Sequence, residues 1–311
     1  MSGNVLIVGA GSIGNRHAEV LQELGRSTYW VSSHLPPANR VFRTIEEALK
    51  NQSFQYVIIA NSTHLHSEAL QTLDRLSFEG KILIEKPLFH KSTNIHKHHH
   101  PYVKVGYQFR FHPLIEKLKA VLVNDPPVSV SLYVGQNLSS WRSNRPYQQS
   151  YSSQTEFGGG VVRDLSHELD LILWLFGDWN KLVSNVEKCS NLDIQSEDYA
   201  ACLIKMKSGL NVSVELNYID HIGKRELIVN GNKHTYKIDL MGGYWWVDQQ
   251  QEVHQINRNQ VFSKMHSCFL SDNQKQLCTF SEGLAVVRMI EAIEKSNDTG
   301  CWVTKDRLDE A

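Results

Sequence analysis

Asn4-Val5-Leu6-Ile7-Val8-Gly9-Ala10-Gly11-Ser12-Ile13-Gly14 is the stretch on which the reading of this chain turns. An apolar run without helical period reads as a buried strand, and a G-x-G-x-x-G turn follows it at once, with a helical stretch from Asn15 to Leu24 behind. In that setting each glycine has its own task. Gly9 allows the tight turn, Gly11 lets a pyrophosphate approach the backbone, and Gly14 lets the helix pack close to the strand. The helix amino terminus adds N–H donors and the positive end of its dipole, and Ser12 and Ile13 in the turn before it count among the expected cofactor contacts. A glycine turn without a ligand is the alternative, and the flanking strand and helix weigh against it. The pattern points to dinucleotide binding at the edge of a parallel α/β sheet.

The next elements repeat the strand and helix alternation. A second strand, Ser27 to Val31, should end beside the adenosine ribose, about 20 residues past the glycines, where an acid marks NAD. Ser32, Ser33 and His34 stand there instead and Arg40 follows, a set that suits a 2′-phosphate and leans toward NADP. An ordinary polar loop is the other reading of those residues. A helix from Thr44 to Lys50 leads to a strand from Tyr56 to Ala60. Asn61, Ser62, Thr63, His64, Leu65 and His66 then lie at the ligand edge, where the histidines either meet a ligand or cap the helix from Ser67 to Leu76. The following strand, Ile82-Leu83-Ile84, runs into Glu85-Lys86-Pro87. A lysine at the carboxyl end of a parallel strand sits where open α/β sheets bind ligands, and the proline fixes the backbone that aims it. Val103 to Phe109 reads as a further strand, ended by Arg110, Phe111, His112 and Pro113. A helix from Leu114 to Val123 closes a first domain, residues 1–123.

Period two dominates the second domain, residues 124–311. Val128 to Val134 reads as a strand, and the run from Ala200 to Met206 turns at Ser208 and Gly209 and returns through Val212 to Tyr218. Asn230 and Gly231 mark a second hairpin, between Glu226 to Val229 and Lys233 to Leu240. Strands near Tyr244 to Asp248 and Glu252 to Ile256 extend a large, mostly antiparallel open sheet, one face of which another subunit could cover. A final helix, Ser281 to Lys295, packs through Leu284, Val287 and Ile290. The chemistry of this domain centres on Phe157 to Gly177. Gly158, Gly159 and Gly160 precede a helix that carries Asp164 and His167 three residues apart, hence neighbours on one helical face. Either the carboxylate orients or charge-stabilises the imidazole, or Asp164 is an acid on the helix dipole beside a satisfied core histidine. Trp141, Arg142, Arg145, Tyr147 and Tyr151 just upstream are either ligand contacts or an exposed loop.

Composition bounds what such a chain binds. It has 311 residues, 41% of them hydrophobic, and a formal net charge of -1, with a pI near 6.9. No whole-chain field holds nucleic acid or an anionic membrane, so the expected partner is a small molecule. The five cysteines, Cys189, Cys202, Cys268, Cys278 and Cys301, are odd in number and lack C-x-x-C spacing. They read as reduced, mostly buried thiols without a disulfide framework or structural zinc site. The start of the chain runs straight into a strand with no basic region and apolar signal core, and no apolar run approaches membrane-spanning length, so a cytoplasmic protein is expected. The tract His96-Lys97-His98-His99-His100-Pro101 reads as a solvated loop, and no designed metal site is expected there.

Together these pieces resemble the glucose–fructose oxidoreductase, inositol dehydrogenase and rhizopine-catabolism (Gfo/Idh/MocA) family. The matching residues are Gly9 through Gly14 with His17, Asn61 through His66, Glu85-Lys86-Pro87, Gly106 through Pro113 and Gly158 through Asp170. The resemblance implies a Rossmann domain, an α/β domain with a large open sheet, NAD or NADP as cofactor, and a sugar, polyol or nucleotide-sugar substrate. It implies that Lys86 hydrogen-bonds the reacting oxygen and that Asp164 and His167 position substrate and transfer the proton. It also places Glu85 with the cofactor residues and Tyr107 and Arg110 among the substrate contacts. The family commonly spaces that aspartate and histidine four apart, whereas here they are three apart. A homodimer or homotetramer is expected. A non-catalytic dinucleotide sensor, and redox-neutral sugar chemistry with a tightly held cofactor, are the competing classes.

Overall fold

The computed structural model describes residues 3–36, 38–92, 102–141, 146–271 and 274–306. The chain begins with β1 (Asn4–Val8), α1 (Ser12–Glu23), β2 (Ser27–Val31), β3 (Val41–Phe42), α2 (Ile45–Asn51), β4 (Tyr56–Ile59), α3 (His66–Arg75), β5 (Lys81–Ile84) and β6 (Val103–Val105). It continues with α4 (Pro113–Leu122), β7 (Pro127–Gly135), α5 (Val161–Asp164), α6 (His167–Phe176), β8 (Trp179–Glu187), β9 (Tyr199–Met206) and β10 (Asn211–Asn217). There follow β11 (Lys224–Gly231), β12 (Thr235–Asp239), β13 (Tyr244–Val247), β14 (Gln250–Val253), α7 (Arg258–Leu270), β15 (Cys278–Thr279), α8 (Phe280–Thr299) and β16 (Val303–Thr304). None of the described helices is long and apolar enough to cross a membrane.

The first sheet has the order β15-β6-β5-β4-β1-β2-β3, parallel throughout except where β15 pairs antiparallel with β6. That is the doubly wound Rossmann order, and its direction reverses between β1 and β4, so the carboxyl ends of those strands border the ligand crevice. Its central strands read as unbroken apolar runs because both faces are covered: Leu6, Ile7, Val57, Ile58, Ile59, Ile82, Leu83 and Ile84 are all fully buried. Each such side chain contributes about 1.5–3 kcal/mol of burial. The expected strand from Val103 to Phe109 stops at Val105, and a 3-10 turn, Gln108–Phe111, takes over. Within that turn Phe111 is buried and Phe109 half-buried.

The second sheet has the order β14-β13-β12-β11-β7-β10-β9-β8-β16 and is antiparallel except for the β7–β10 pair. Both expected hairpins form, β9 with β10 and β11 with β12. Alternate residues are buried on one face, among them Val130, Leu132, Val134, Ile204, Val212, Val214, Leu227 and Val229. The other face carries Ser129, Ser131, Lys205 and Ser213, together with exposed Leu203 and Trp302.

Packing divides the chain into two compact units, one of residues 1–111 with 257–287 and one of 112–256 with 288–311. A simple cut after residue 123 differs from this in two places. Helix α4 joins the second unit, where Lys117 lies 4.8 Å from the Trp245 ring centroid and Lys119 lies 3.5 Å from that of Trp174. Helix α7 returns to the first unit and packs on α1, with Arg16 donating to the Asn259 side chain. All five cysteines are free; Cys202 and Cys278 are buried, Cys268 is half-buried, and Cys189 and Cys301 are exposed, which is more exposure than their apolar character led us to expect.

Candidate active site

In the first unit the glycine loop is shaped by backbone crowding. Gly9 has φ +108°, and a Cβ there would lie 2.6 Å from the Asn61 nitrogen. A Cβ on Gly14 would fall 2.2 Å from the Gly9 carbonyl oxygen. Gly11 differs, because no atom lies within 4 Å of where its Cβ would be. That open space faces the start of α1, which has Gly11 as its N-cap, no capping side chain and no acid in its first turn. First-turn N–H groups without intrahelical partners and a positive dipole end suit an anionic pyrophosphate, so Gly11, Ser12 and Ile13 fit the group the motif implies.

The loop after β2 divides the expected ribose contacts. The Ser32 hydroxyl is taken by its own turn, accepting from the His34 and Leu35 N–H groups at 3.1 and 3.3 Å, and Ser32 is buried. Ser33 and Arg40 are exposed, the latter with its guanidinium 5.5 Å from the Tyr29 ring centroid. Arg43, which the sequence did not single out, ties the loop down by donating to the Ser32 and Leu35 carbonyls at 2.7 and 3.0 Å. After β4, the Asn61 Oδ1 is buried without a hydrogen-bond partner among the described residues, a buried acceptor at the ligand edge beside half-buried Ser62 and buried Thr63. His66 serves the fold. Its Nδ1 faces the Pro87 and Leu88 carbonyls at 3.1 and 3.2 Å, its Nε2 faces the Asn61 carbonyl at 3.2 Å, and burial pushes its pKa down. It therefore links the loop after β4 to the Lys86-Pro87 step, whose peptide bond is cis.

Lys86 is half-buried at the carboxyl end of β5. Glu85, expected among the cofactor contacts, instead faces the His17 Nε2 at 2.9 Å with one oxygen and accepts the Lys86 N–H at 3.2 Å with the other. Tyr107 and Arg110 are both 1% exposed, and Arg110 donates to Glu282 at 3.1 Å, so this guanidinium is engaged by a carboxylate of its own unit.

In the second unit the glycine triplet is again held by close approach. A Cβ on Gly159 would lie 2.1 Å from the Tyr151 carbonyl oxygen, and one on Gly160, at φ +117°, would lie 2.1 Å from a Glu197 carboxylate oxygen. Burial pushes the Glu197 carboxyl up to about 7. The single helix expected to carry Asp164 and His167 is broken. Asp164 ends α5, His167 starts α6, and between them Ser166 N–H reaches back to the Arg163 carbonyl at 3.3 Å in a tightened three-residue turn. The Asp164 carboxylate accepts the Tyr218 hydroxyl at 2.7 Å, both groups being buried. Burial and the Asp164 charge raise the Tyr218 pKa well above its usual value, so the phenol stays protonated and donates. Trp141 packs edge-on against the Tyr218 ring at 5.1 Å and donates to the Gln136 carbonyl. His167 is 6% exposed. Glu168 beside it is paired with Arg225 at 3.0 Å. Tyr151 is half-buried in the short turn Tyr151–Ser153. Arg142, Arg145 and the His96 to His100 tract lie outside the described residues.

Residues 3–109 match the Gfo/Idh/MocA family model described as "Oxidoreductase family, NAD-binding Rossmann fold". Residues 130–304 match the companion model, "Oxidoreductase family, C-terminal alpha/beta domain". An uncharacterised oxidoreductase of Synechocystis sp. is 25% identical over 202 residues, which are 59% of this chain and 54% of that protein's length. Among solved structures, GenD2 from gentamicin A biosynthesis in complex with NAD is 19% identical with a TM-score of 0.78, covering 97% of this chain and 96% of that one. Levoglucosan dehydrogenase in complex with NADH and L-sorbose is 14% identical with a TM-score of 0.84, covering 99% of this chain and 100% of that one. A putative myo-inositol dehydrogenase from Sinorhizobium meliloti is 16% identical with a TM-score of 0.77, covering 97% and 99%.

The glycine geometry separates folding from binding. Gly11→Ala should leave the melting temperature near that of the parent and weaken NAD binding, because its methyl group enters only the space the pyrophosphate needs. Gly14→Ala should lower the melting temperature, since its methyl group meets backbone. Calorimetric titration with thermal melts checks both; equal destabilisation by the two variants would contradict the assignment.

Proposed function

Since the chain belongs to the Gfo/Idh/MocA oxidoreductase family, we propose that it is an NAD(P)-dependent dehydrogenase or reductase acting on a CH–OH group of a sugar, polyol or nucleotide sugar. The observation that carries the reading is the open pyrophosphate cradle at Gly11 in the same unit as Lys86 at the end of β5. When bound, the nicotinamide gives or takes the hydride. The chain's own residues manage the oxygen. Lys86 stabilises the charge of a developing alkoxide, and His167, whose residue type titrates near neutrality, takes or returns the proton. Asp164, held by Tyr218, orients substrate. Trp141 and Tyr151 supply sugar-face contacts, with Arg142 a further anion contact if the substrate carries phosphates. The sugar-like substrate class is supported by what similar structures hold or are named for, L-sorbose in one and inositol in another. A reducing compartment such as the cytoplasm suits five thiols without a disulfide.

Because no acid follows β2, NADP should bind at least as well as NAD, with exposed Ser33 and Arg40 meeting the 2′-phosphate. A titration in which NAD is clearly preferred and Arg40→Ala changes neither affinity would remove that part of the reading.

We further propose a homodimer or homotetramer built on the open face of the second sheet, where Leu203 and Trp302 are 56% and 48% exposed. Light scattering should give a mass at least twice that of the chain, and Leu203→Lys should lower it; a monomeric parent at micromolar concentration would contradict this.

Lys86→Ala and His167→Ala should each abolish most turnover while leaving cofactor binding nearly intact. Positioned proton transfer contributes about 10²- to 10⁴-fold, so the His167 variant should lose rate on that scale. The double variant should lose little more than either single one, because groups acting as a unit fail together. Asp164→Asn should do less harm. Parent-like rates in His167→Ala, on a substrate the parent turns over, would refute its role.

A further inference from the structure

Four side chains that the proposed chemistry does not use stand in a line inside the first unit. Tyr56 on β4, His266 on α7, His17 on α1 and Glu85 at the end of β5 are 1%, 0%, 0% and 5% exposed. The Tyr56 hydroxyl lies 3.0 Å from His266 Nδ1, His266 Nε2 lies 2.9 Å from His17 Nδ1, and His17 Nε2 lies 2.9 Å from a Glu85 carboxylate oxygen. The other carboxylate oxygen accepts the Lys86 N–H at 3.2 Å. Room for that carboxylate comes from Gly106, where a Cβ would fall 2.6 Å from Glu85 Oε1. Edge-on contacts of Phe262 with the His17 ring and of Phe269 with the Tyr56 ring, at 5.4 and 5.2 Å, seal the line.

Counting protons fixes its direction. A carboxylate only accepts, so His17 carries hydrogen on Nε2. With His17 neutral, its bare Nδ1 accepts from His266 Nε2–H, and the bare Nδ1 of His266 accepts from Tyr56, which satisfies every polar atom in the line. A doubly protonated His17 would reverse both upstream bonds and leave the buried Tyr56 hydroxyl hydrogen without an acceptor in the line, which is costly for a buried donor. Burial pushes the His266 pKa well below its usual range, while burial and the Glu85 charge push that of Tyr56 well up, so both remain neutral.

We propose that Tyr56, His266 and His17 are positioning residues, a one-way hydrogen-bond relay that anchors Glu85 and thereby holds the backbone from which Lys86 acts. The inference rests on the role given to Lys86 above. It assigns a function to α7, which reaches the cofactor unit from the far end of the sequence and delivers His266 to its core.

The test uses the full-length protein. ¹⁵N-histidine NMR, assigned with His17→Gln and His266→Gln, should show both rings neutral and protonated on Nε2; an imidazolium at His17 or an Nδ1–H at His266 would overturn the relay. In turnover assays, Tyr56→Phe and His17→Leu should lower kcat roughly 10- to 100-fold, the scale of a small misplacement of a catalytic group, with NAD affinity unchanged. His17→Gln, whose amide can donate to Glu85 and accept from His266, should recover part of that loss. Phe269→Leu, which loosens the same packing without touching a relay atom, should keep kcat near the parent value. If Lys86→Ala is inactive and the relay variants behave like Phe269→Leu, the relay has no positioning role. Turnover that survives in Lys86→Ala would overturn the role of Lys86 and the positioning claim with it, and the tautomers would then decide whether the relay exists.

Discussion

The whole cofactor unit depends on how closely α1 approaches the end of β1. With the Gly14 Cβ position 2.2 Å from the Gly9 carbonyl oxygen, only a hydrogen fits, and helix and strand are locked at a fixed distance. Two consequences follow from that one contact. The helix amino terminus is aimed at the crevice where the sheet order reverses, and His17, one turn further along α1, is delivered into the core beside Glu85. The glycine cradle and the Glu85–Lys86 strand end are thus tied to the same helix, from its front and its flank.

The second unit solves a different problem, that of keeping a carboxylate and an imidazole close in sequence but in distinct surroundings. The tightened turn at Leu165 and Ser166 ends one helix and starts another, so Asp164 meets Tyr218 from β10's end while His167 begins the long apolar helix α6. Buried polar groups of this kind are costly unless partnered. Here the neutral Tyr218 phenol, its Asp164 acceptor and the Glu168–Arg225 pair supply the partners, and a large, mostly antiparallel sheet supplies the rigid support.

Much of this was legible in the sequence, and the reason is locality. Strand runs such as Tyr56 to Ile59, the glycine turn after β1, and the hairpin signals at Gly209 and Asn230 each declare themselves within a few residues. The break in the Asp164 helix was hidden because Leu165, Leu169 and Ile172 keep an uninterrupted helical period across it. Partners far apart in sequence left no trace: Tyr218 is 54 residues from Asp164, and His266 is 249 residues from His17. Helix α7 was missed for a related reason, since Ser263, Lys264, His266 and Ser267 dilute its apolar face of Val261, Phe262, Met265 and Phe269. Ser32 and His66 had the right residue types at the ligand edge, yet turn and strut duties occupy them, which only the hydrogen-bond geometry reveals.

The most direct measurement is a panel of sugars, polyols and nucleotide sugars presented to the purified protein with NAD and NADP, followed at the nicotinamide absorbance. The account predicts substrate-dependent oxidation or reduction of the cofactor by at least one member of the panel. A protein that binds the cofactor and leaves its redox state unchanged across the whole panel would contradict it.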